Sequence, residues 1–135
     1  MRTLIALAVM ALLFCSPVNA EPSPTATEVF HLRSECSNLG KQLLEENRVP
    51  SEHGFSNYFS KYDEETNRCY VMIKDTFLKE HAAHLTLWDG QGGGVIAQWS
   101  SNDPGGLCFI KGQTVSPAEA FAYIQNMMKD DSDGK

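Results

Sequence analysis

Two histidines, His81 and His84, come nearest to a known catalytic spacing. They form a His-x-x-His pattern, with Glu80 before the first and Asp89 five residues after the second. Imidazole and carboxylate groups bind zinc and copper, but a catalytic metal needs three protein ligands at a defined geometry. The sequence lacks the metalloprotease pattern His-Glu-x-x-His. A metal site at His81 and His84 is therefore an alternative, and solvated histidines are the simpler interpretation.

Cys108 is the other candidate for catalysis, because a thiolate beside an imidazolium is a competent nucleophile. It lies between Leu107 and Phe109, however, and apolar surroundings disfavour a thiolate. The sequence has no Gly-x-Ser-x-Gly nucleophile elbow and no Cys-x-x-Cys redox pair. A small periplasmic hydrolase using Cys108 or a His81/His84 metal is the alternative function. We assign no catalytic residue, no metal and no cofactor.

Residues 1–20 have the pattern of a cleavable secretory signal. Arg2 precedes an apolar run, and the segment ends in small residues up to Ala20, after which we predict cleavage. A lipoprotein anchored at Cys15 is the competing interpretation, but the bulky Phe14 fits lipoprotein processing poorly. No later run is apolar enough to predict an integral membrane span. We therefore expect a periplasmic or secreted protein.

The charge balance restricts the partners of the exported chain. The formal charge of the 135 residues is −6, and removal of residues 1–20 takes away Arg2 and no acid, which leaves −7. An acidic chain without a basic stripe is a poor match for nucleic acid or an anionic membrane. Residues 21–135 have the length of one ordinary domain, so we predict a single domain with a short flexible leader and an acidic C-terminal tail. An envelope or extracellular protein is the expected partner.

Three cysteines remain after signal cleavage, in a compartment where disulfides persist. Cys36 lies at the centre of the apolar stripe of the first predicted helix, and Cys69 begins the inward-facing row of a central strand. We predict a Cys36–Cys69 disulfide, with Cys108 as the odd, free thiol. A bridge from Cys108 to either of the others stays open, because its strand is too short for its facing to be predicted.

Two helices are indicated by their first turns. Thr25 and Glu28 have capping-box spacing, and the apolar stripe that follows ends near Asn47. Ser116 and Glu119 form a second capping box before the closing helix, with a proline between them at the first helical position. Gly40, inside the first helix, indicates either close packing or a tolerated cost of up to about 1 kcal/mol.

Strands occupy the middle of the chain. Residues 55–77 predict a hairpin with a loop at 63–67, because β-branched and aromatic runs flank a polar cluster. A second hairpin is predicted from residues 84–88 and 95–100, joined by a mobile glycine-rich tip at 89–94. Residues 78–83 could form a helical turn, and residues 107–111 a short strand.

The predicted fold class is α+β: a largely antiparallel sheet of four to five strands, flanked by an N-terminal and a C-terminal helix that cover one face. The other face would then be exposed or would bind a partner. Tyr70, Trp88 and Trp99 lie in predicted strands and could form an amphipathic platform on that face. Because no nucleophile, base and oxyanion donors can be combined, we favour a binding or envelope-accessory module over an enzyme.

Several short motifs carry a resemblance to a known group of proteins. Asn67-Arg68-Cys69-Tyr70-Val71, then Leu87-Trp88-Asp89 with the glycine-containing loop, and then Ala97-Gln98-Trp99 are followed by a cysteine strand and a capped helix. This arrangement resembles small exported proteins of Gram-negative bacteria whose function is uncharacterised. The resemblance covers most of the chain after residue 20. It implies bacterial origin, export and an undivided domain, and it implies no activity.

Overall fold

The computed structural model describes residues 23–102 and 107–129. The predicted signal peptide, the acidic tail from Asp130 and part of the loop after the fourth strand lie outside them. The elements in chain order are α1 (Ala26–Asn47), β1 (Gly54–Asp63), β2 (Arg68–Phe77), β3 (Ala82–Asp89), β4 (Val95–Ser100), β5 (Phe109–Ile110), β6 (Gln113–Thr114) and α2 (Pro117–Met128). They form the α+β fold that the sequence predicts.

Both helices begin at the capping boxes predicted from the sequence. The Thr25 hydroxyl accepts a hydrogen bond from the Glu28 amide, and the Glu28 carboxylate accepts one from the Thr25 amide. Ser116 and Glu119 repeat this exchange at the start of α2. Hydrogen bonds from the capping residues hold the pKa of each glutamate below its usual value. Local sequence therefore defines where each helix begins.

The sheet is an antiparallel meander in which each strand pairs with the next along the chain. It has six strands rather than the predicted four to five, because the short strand near Cys108 turns back at Lys111 and Gly112 and pairs with β6. The predicted helical turn at 78–83 is a tight turn instead, in which His81 has a φ of 50°. The connections between consecutive strands are short, and a short connection brings each strand beside the one before it in a hairpin, so the strands are ordered as in the chain.

The two helices cover opposite faces of the sheet, so the prediction that both lie on one face is wrong. On the α1 side, Cys69, Val71 and Ile73 of β2 pack beneath α1 together with Cys36 and Tyr62. On the α2 side, Ile124 packs against buried residues of the strands: Tyr70, Met72, Leu85, Leu87 and Ala97. Successive strand residues alternate between faces, so β2 is buried on both sides because each face has its own helix.

The predicted Cys36–Cys69 disulfide ties α1 to β2. The two Cα atoms are 5.4 Å apart, within the range that a disulfide requires. Near the same strands, Gly40 shows close packing rather than tolerance, because a Cβ atom there would lie 2.6 Å from Cδ2 of Tyr58. The disulfide and the glycine together hold α1 tightly over β1 and β2.

Candidate functional site

The α1 side of β3, β4 and β5 has no helix packed on it among the described elements. Of the described elements, α1 packs on β1 and β2, whereas α2 lies on the other face of β2 to β5. The strand pairing places five partly buried side chains on this uncovered surface, with the buried Ser100 opposite the first of them: His84, Thr86, Trp88, Gln98 and Phe109. We call this surface the open face.

The open face is organised by the register of three strands. Thr86 of β3 lies opposite Gln98 of β4, and Gln98 lies opposite Phe109 of β5. This row crosses about 10 Å of sheet at the usual strand spacing. His84 and Trp88 extend the surface along β3 by about 13 Å at roughly 3.3 Å per residue. The polar side chains of Thr86 and Gln98 therefore lie between the ring of Phe109 at one side of the surface and the indole of Trp88 at one end. All five side chains are only partly buried.

Trp88 marks the boundary between the open face and the part covered by α1. Its ring packs against the buried cluster that contains Cys36, Cys69 and Val71. The indole Nε1 atom is buried and has no acceptor within the described chain. A buried donor without a partner costs about 1 to 3 kcal/mol, and tryptophan N–H groups usually find an acceptor. Trp88 therefore brings a buried hydrogen-bond donor without an acceptor to the boundary of the open face.

The two histidines of the predicted metal alternative serve different parts of the structure. His81 is exposed in the β2–β3 turn, whereas His84 lies on the open face with its ring centroid 4.8 Å from that of Phe77. Within residues 23–102 and 107–129, no group of three or more His, Cys, Asp or Glu residues could hold a metal ion. His84 therefore contributes an aromatic and titratable side chain to the open face.

Tyr70 and Trp99 do not belong to the open face, although the sequence placed them with Trp88. Tyr70 is 7% exposed and lies in the core beneath α2, so its prediction as a surface residue differs from the structure. Trp99 also faces α2, and its ring lies 5.1 Å from that of Phe121. Both residues point to the α2 side because they are one pleat position away from open-face neighbours. Trp88 is the one member of the predicted platform that the open face contains.

Cys108 is a free cysteine, as predicted, but it is not placed for nucleophilic chemistry. Its side chain is 1% exposed, immediately before β5. Its backbone carbonyl accepts a hydrogen bond from the Val115 amide, which closes the β5–β6 hairpin. A thiol so deeply buried is inaccessible to a substrate in this conformation. Cys108 therefore acts as a small apolar core residue.

The glycine-rich connection between β3 and β4 is an organised turn. The Asp89 carboxylate accepts hydrogen bonds from the amides of Gln91 and Gly92 and forms an ion pair with Arg68 at 2.9 Å. A Cβ atom on Gly90 would lie 2.7 Å from Sγ of Cys69, so only glycine fits beside the disulfide. The glycines therefore serve the packing of the turn, and nothing in their arrangement marks a ligand site.

A separate, concave surface lies between the start of α1 and the β1–β2 turn. This groove of about 780 Å³ is lined by Tyr62 and by several acidic residues: Glu28, Glu35, Glu64 and Glu65. Glu28 belongs to the α1 capping box, and Glu64 pairs with Arg33 at 2.8 Å. Both carboxylates therefore have structural partners, and the groove is a weaker candidate than the open face.

Comparisons with family models, with curated proteins and with solved structures give no match to this chain. Its function must therefore be inferred from its own surfaces. Among the described helices, none has the length and apolar character needed to cross a bilayer. Four open-face residues were not predicted from the sequence as part of an interaction surface, although His84 was a candidate metal ligand: His84, Thr86, Gln98 and Phe109. The alternation of β3 and β4 contains the signal, but it becomes useful only when the helix that covers each face is known.

Proposed function

We propose that this protein is an exported binding module that docks a protein partner of the bacterial envelope on the open face. The observation that carries the proposal is the row formed by Thr86, Gln98 and Phe109, which no described helix covers and which ends beside Trp88. A surface that combines aromatic rings with hydrogen-bonding side chains has the composition of protein interfaces.

The covalent structure supports the exported location in this proposal. A disulfide whose two sulfur atoms are buried is suited to an oxidising compartment, because reducing cytosol keeps thiols free. The pattern of residues 1–20 and the resemblance to exported proteins of Gram-negative bacteria agree with a periplasmic or secreted location. The partner then comes from the same compartment or from the cell surface.

The size of the open face indicates how the partner would bind. A surface of about 10 by 13 Å is much smaller than the roughly 800 Å² that each partner buries in a standard interface. The open face would therefore be the centre of the contact, and the partner would extend onto neighbouring elements. Val95, which is 38% exposed at the start of β4, and the glycine-rich turn lie next to it. The alternative hydrolase function has no comparable support, because Cys108 is buried and His81 and His84 lack a third ligand among the described residues.

Site-specific photo-crosslinking in the producing cell tests the proposal. A photoreactive residue at Gln98 should capture one protein partner in stoichiometric yield. The same residue at Gln125, which is exposed on α2, should not capture it. The substitution Gln98→Arg should abolish co-purification of that partner, whereas the matched substitution Gln125→Arg should preserve it. Gln98 is preferable to Trp88 because Trp88 also supports the core.

The proposal fails if the captured partner co-purifies equally with both arginine variants. It also fails if no protein is captured at Gln98 while the purified protein hydrolyses ester or peptide substrates. Circular dichroism of both variants shows whether they are folded before their binding is compared.

A further inference from the structure

The outer edge of β1 presents a row of backbone groups with no strand beside it. β1 is the first strand of the sheet, and no other strand in residues 23–102 or 107–129 pairs with its outer side. The His53 carbonyl accepts a hydrogen bond from the Leu78 amide, so the backbone N–H and C=O groups of His53 and of every second residue after it point toward β2. The backbone groups of the residues between them point away from the sheet. Gly54 gives its amide to the Pro50 carbonyl, which leaves four outward residues: Ser56, Tyr58, Ser60 and Tyr62.

Two exposed aromatic side chains lie beside this edge. Phe55 and Phe59 are 49% and 53% exposed, on the face of β1 opposite α1. Monomeric proteins protect long edge strands with proline, bulges, charged side chains or a covering loop. β1 contains no proline and pairs with β2 without a register shift along its full length, and its charged residues, Lys61 and Asp63, lie only near its end. A strand with these properties is suited to pairing with another strand.

We propose that β1 pairs antiparallel with β1 of a second copy of this chain, around a two-fold axis at Phe59. A second copy is the occupant indicated by the strand itself, because a two-fold axis at residue 59 places the exposed Phe59 beside Phe59 of the second copy and sets each small serine of the edge opposite a tyrosine. In this register Ser56 lies opposite Tyr62 of the second copy, and Tyr58 lies opposite Ser60. All four outward residues of each chain are then satisfied, with about eight main-chain hydrogen bonds in total.

The same register brings the exposed phenylalanines together. Phe59 faces Phe59 of the second copy in a non-hydrogen-bonded pair, in which side chains approach most closely. Lys61 faces Asn57 and Asp63 faces Phe55, so no like charges oppose each other. Shifting the pairing by two residues toward Gly54 would require the Gly54 amide, which already donates a hydrogen bond to the Pro50 carbonyl. The register centred on Phe59 therefore uses the free edge completely.

The position of α1 is compatible with this dimer. α1 is tied to β2 by the disulfide and contacts β1 at Gly40, so it lies over both strands. A two-fold axis perpendicular to the sheet places the two α1 helices side by side, at about the 8 to 10 Å usual for packed helices.

Sedimentation equilibrium of the disulfide-bonded protein, expressed from its full-length gene, tests the oligomeric state. We expect a monomer–dimer equilibrium between micromolar and millimolar concentrations. Phe59→Arg should remove the dimer, because two arginines would face each other. Leu78→Arg is the matched control and should retain it, since Leu78 is 58% exposed in the β2–β3 turn, away from the outer edge of β1. A protein that stays monomeric up to millimolar concentration overturns the proposal, as does a dimer that survives Phe59→Arg.

Disulfide trapping tests the register separately. Phe59→Cys should form a covalent dimer on mild oxidation, because directly opposed residues of a non-hydrogen-bonded pair lie within disulfide range. Asn57→Cys should form none alone, but it should link to Lys61→Cys when the two variants are mixed. Rapid self-linking of Asn57→Cys without linking of Phe59→Cys would contradict the proposed axis. The buried Cys108 is present in every variant and serves as an internal control.

Discussion

Removing the Cys36–Cys69 disulfide by the double substitution Cys36→Ala/Cys69→Ala should cause a large loss of stability. The bridge closes a sequence separation of 33 residues between α1 and β2. The chain-entropy model gives about 3.7 kcal/mol for a loop of this length, because the cross-link restricts the unfolded chain. The double variant leaves Cys108 as the one cysteine in residues 21–135, so no alternative bridge can form within them.

Packing adds to this loss. The two cysteines are 2% and 3% exposed, so each alanine leaves space where a buried sulfur atom packed. An atom of this size contributes about 0.8 kcal/mol when it is fully buried. The expected decrease in the free energy of unfolding is therefore about 5 kcal/mol. This is a large part of the roughly 5 to 15 kcal/mol that stabilises a typical domain.

Urea unfolding followed by far-UV circular dichroism measures the effect. Cys108→Ala is the matched control, since it removes one sulfur atom from a site that is 1% exposed but breaks no cross-link. We expect the control to lose about 1 kcal/mol by the same burial argument. A double variant that loses no more than twice the control would refute the reasoning, because the cross-link would then contribute nothing beyond packing.

Three further predictions concern local features. Gly40→Ala should lower the free energy of unfolding by about 1 kcal/mol in urea titrations, because overpacking against Tyr58 at 2.6 Å exceeds the gain in helix propensity; a more stable variant would show that the ring yields without cost. Hydrogen bonds from Ser116 lower the pKa of Glu119 in the folded state. The stability that these bonds provide is therefore fully present above the unfolded pKa of 4.5, and it is lost as the pH falls through the folded pKa. Glu119→Gln should therefore flatten the acid side of a plot of melting temperature against pH, and an unchanged slope would contradict the assignment. His81→Gly should raise the free energy of unfolding by about 0.5 to 1 kcal/mol, since glycine adopts a φ of 50° without the strain of a side chain; thermal denaturation showing a loss would mean that the imidazole makes a stabilising contact.

Several features of the fold could be predicted because their causes are local. The capping boxes at Thr25 and Ser116 act within one helical turn, so the first residues of both helices follow from a few neighbouring side chains. The hairpin of β1 and β2 follows from two apolar runs around a polar turn. The Cys36–Cys69 pairing was favoured by the sequence, because Cys36 lies on the apolar stripe of the first helix and Cys69 lies in a strand apolar enough to be buried.

The open face could not be predicted because its cause is long-range. β2 is apolar on both sides, so its alternation does not show which side each helix covers, and Tyr70 was assigned to the wrong environment. A register shift between Leu87 and Trp88 also changes how β3 faces β4 near the glycine-rich turn. The sequence by itself determined the helix starts and the first hairpin, since these depend on short-range periodicity and capping, and it favoured the Cys36–Cys69 disulfide without excluding Cys108. Only the tertiary structure decided that α2 packs on the face of the sheet opposite α1, because that choice depends on packing between segments distant in the chain. This placement of α2 leaves Trp88 beside an uncovered surface.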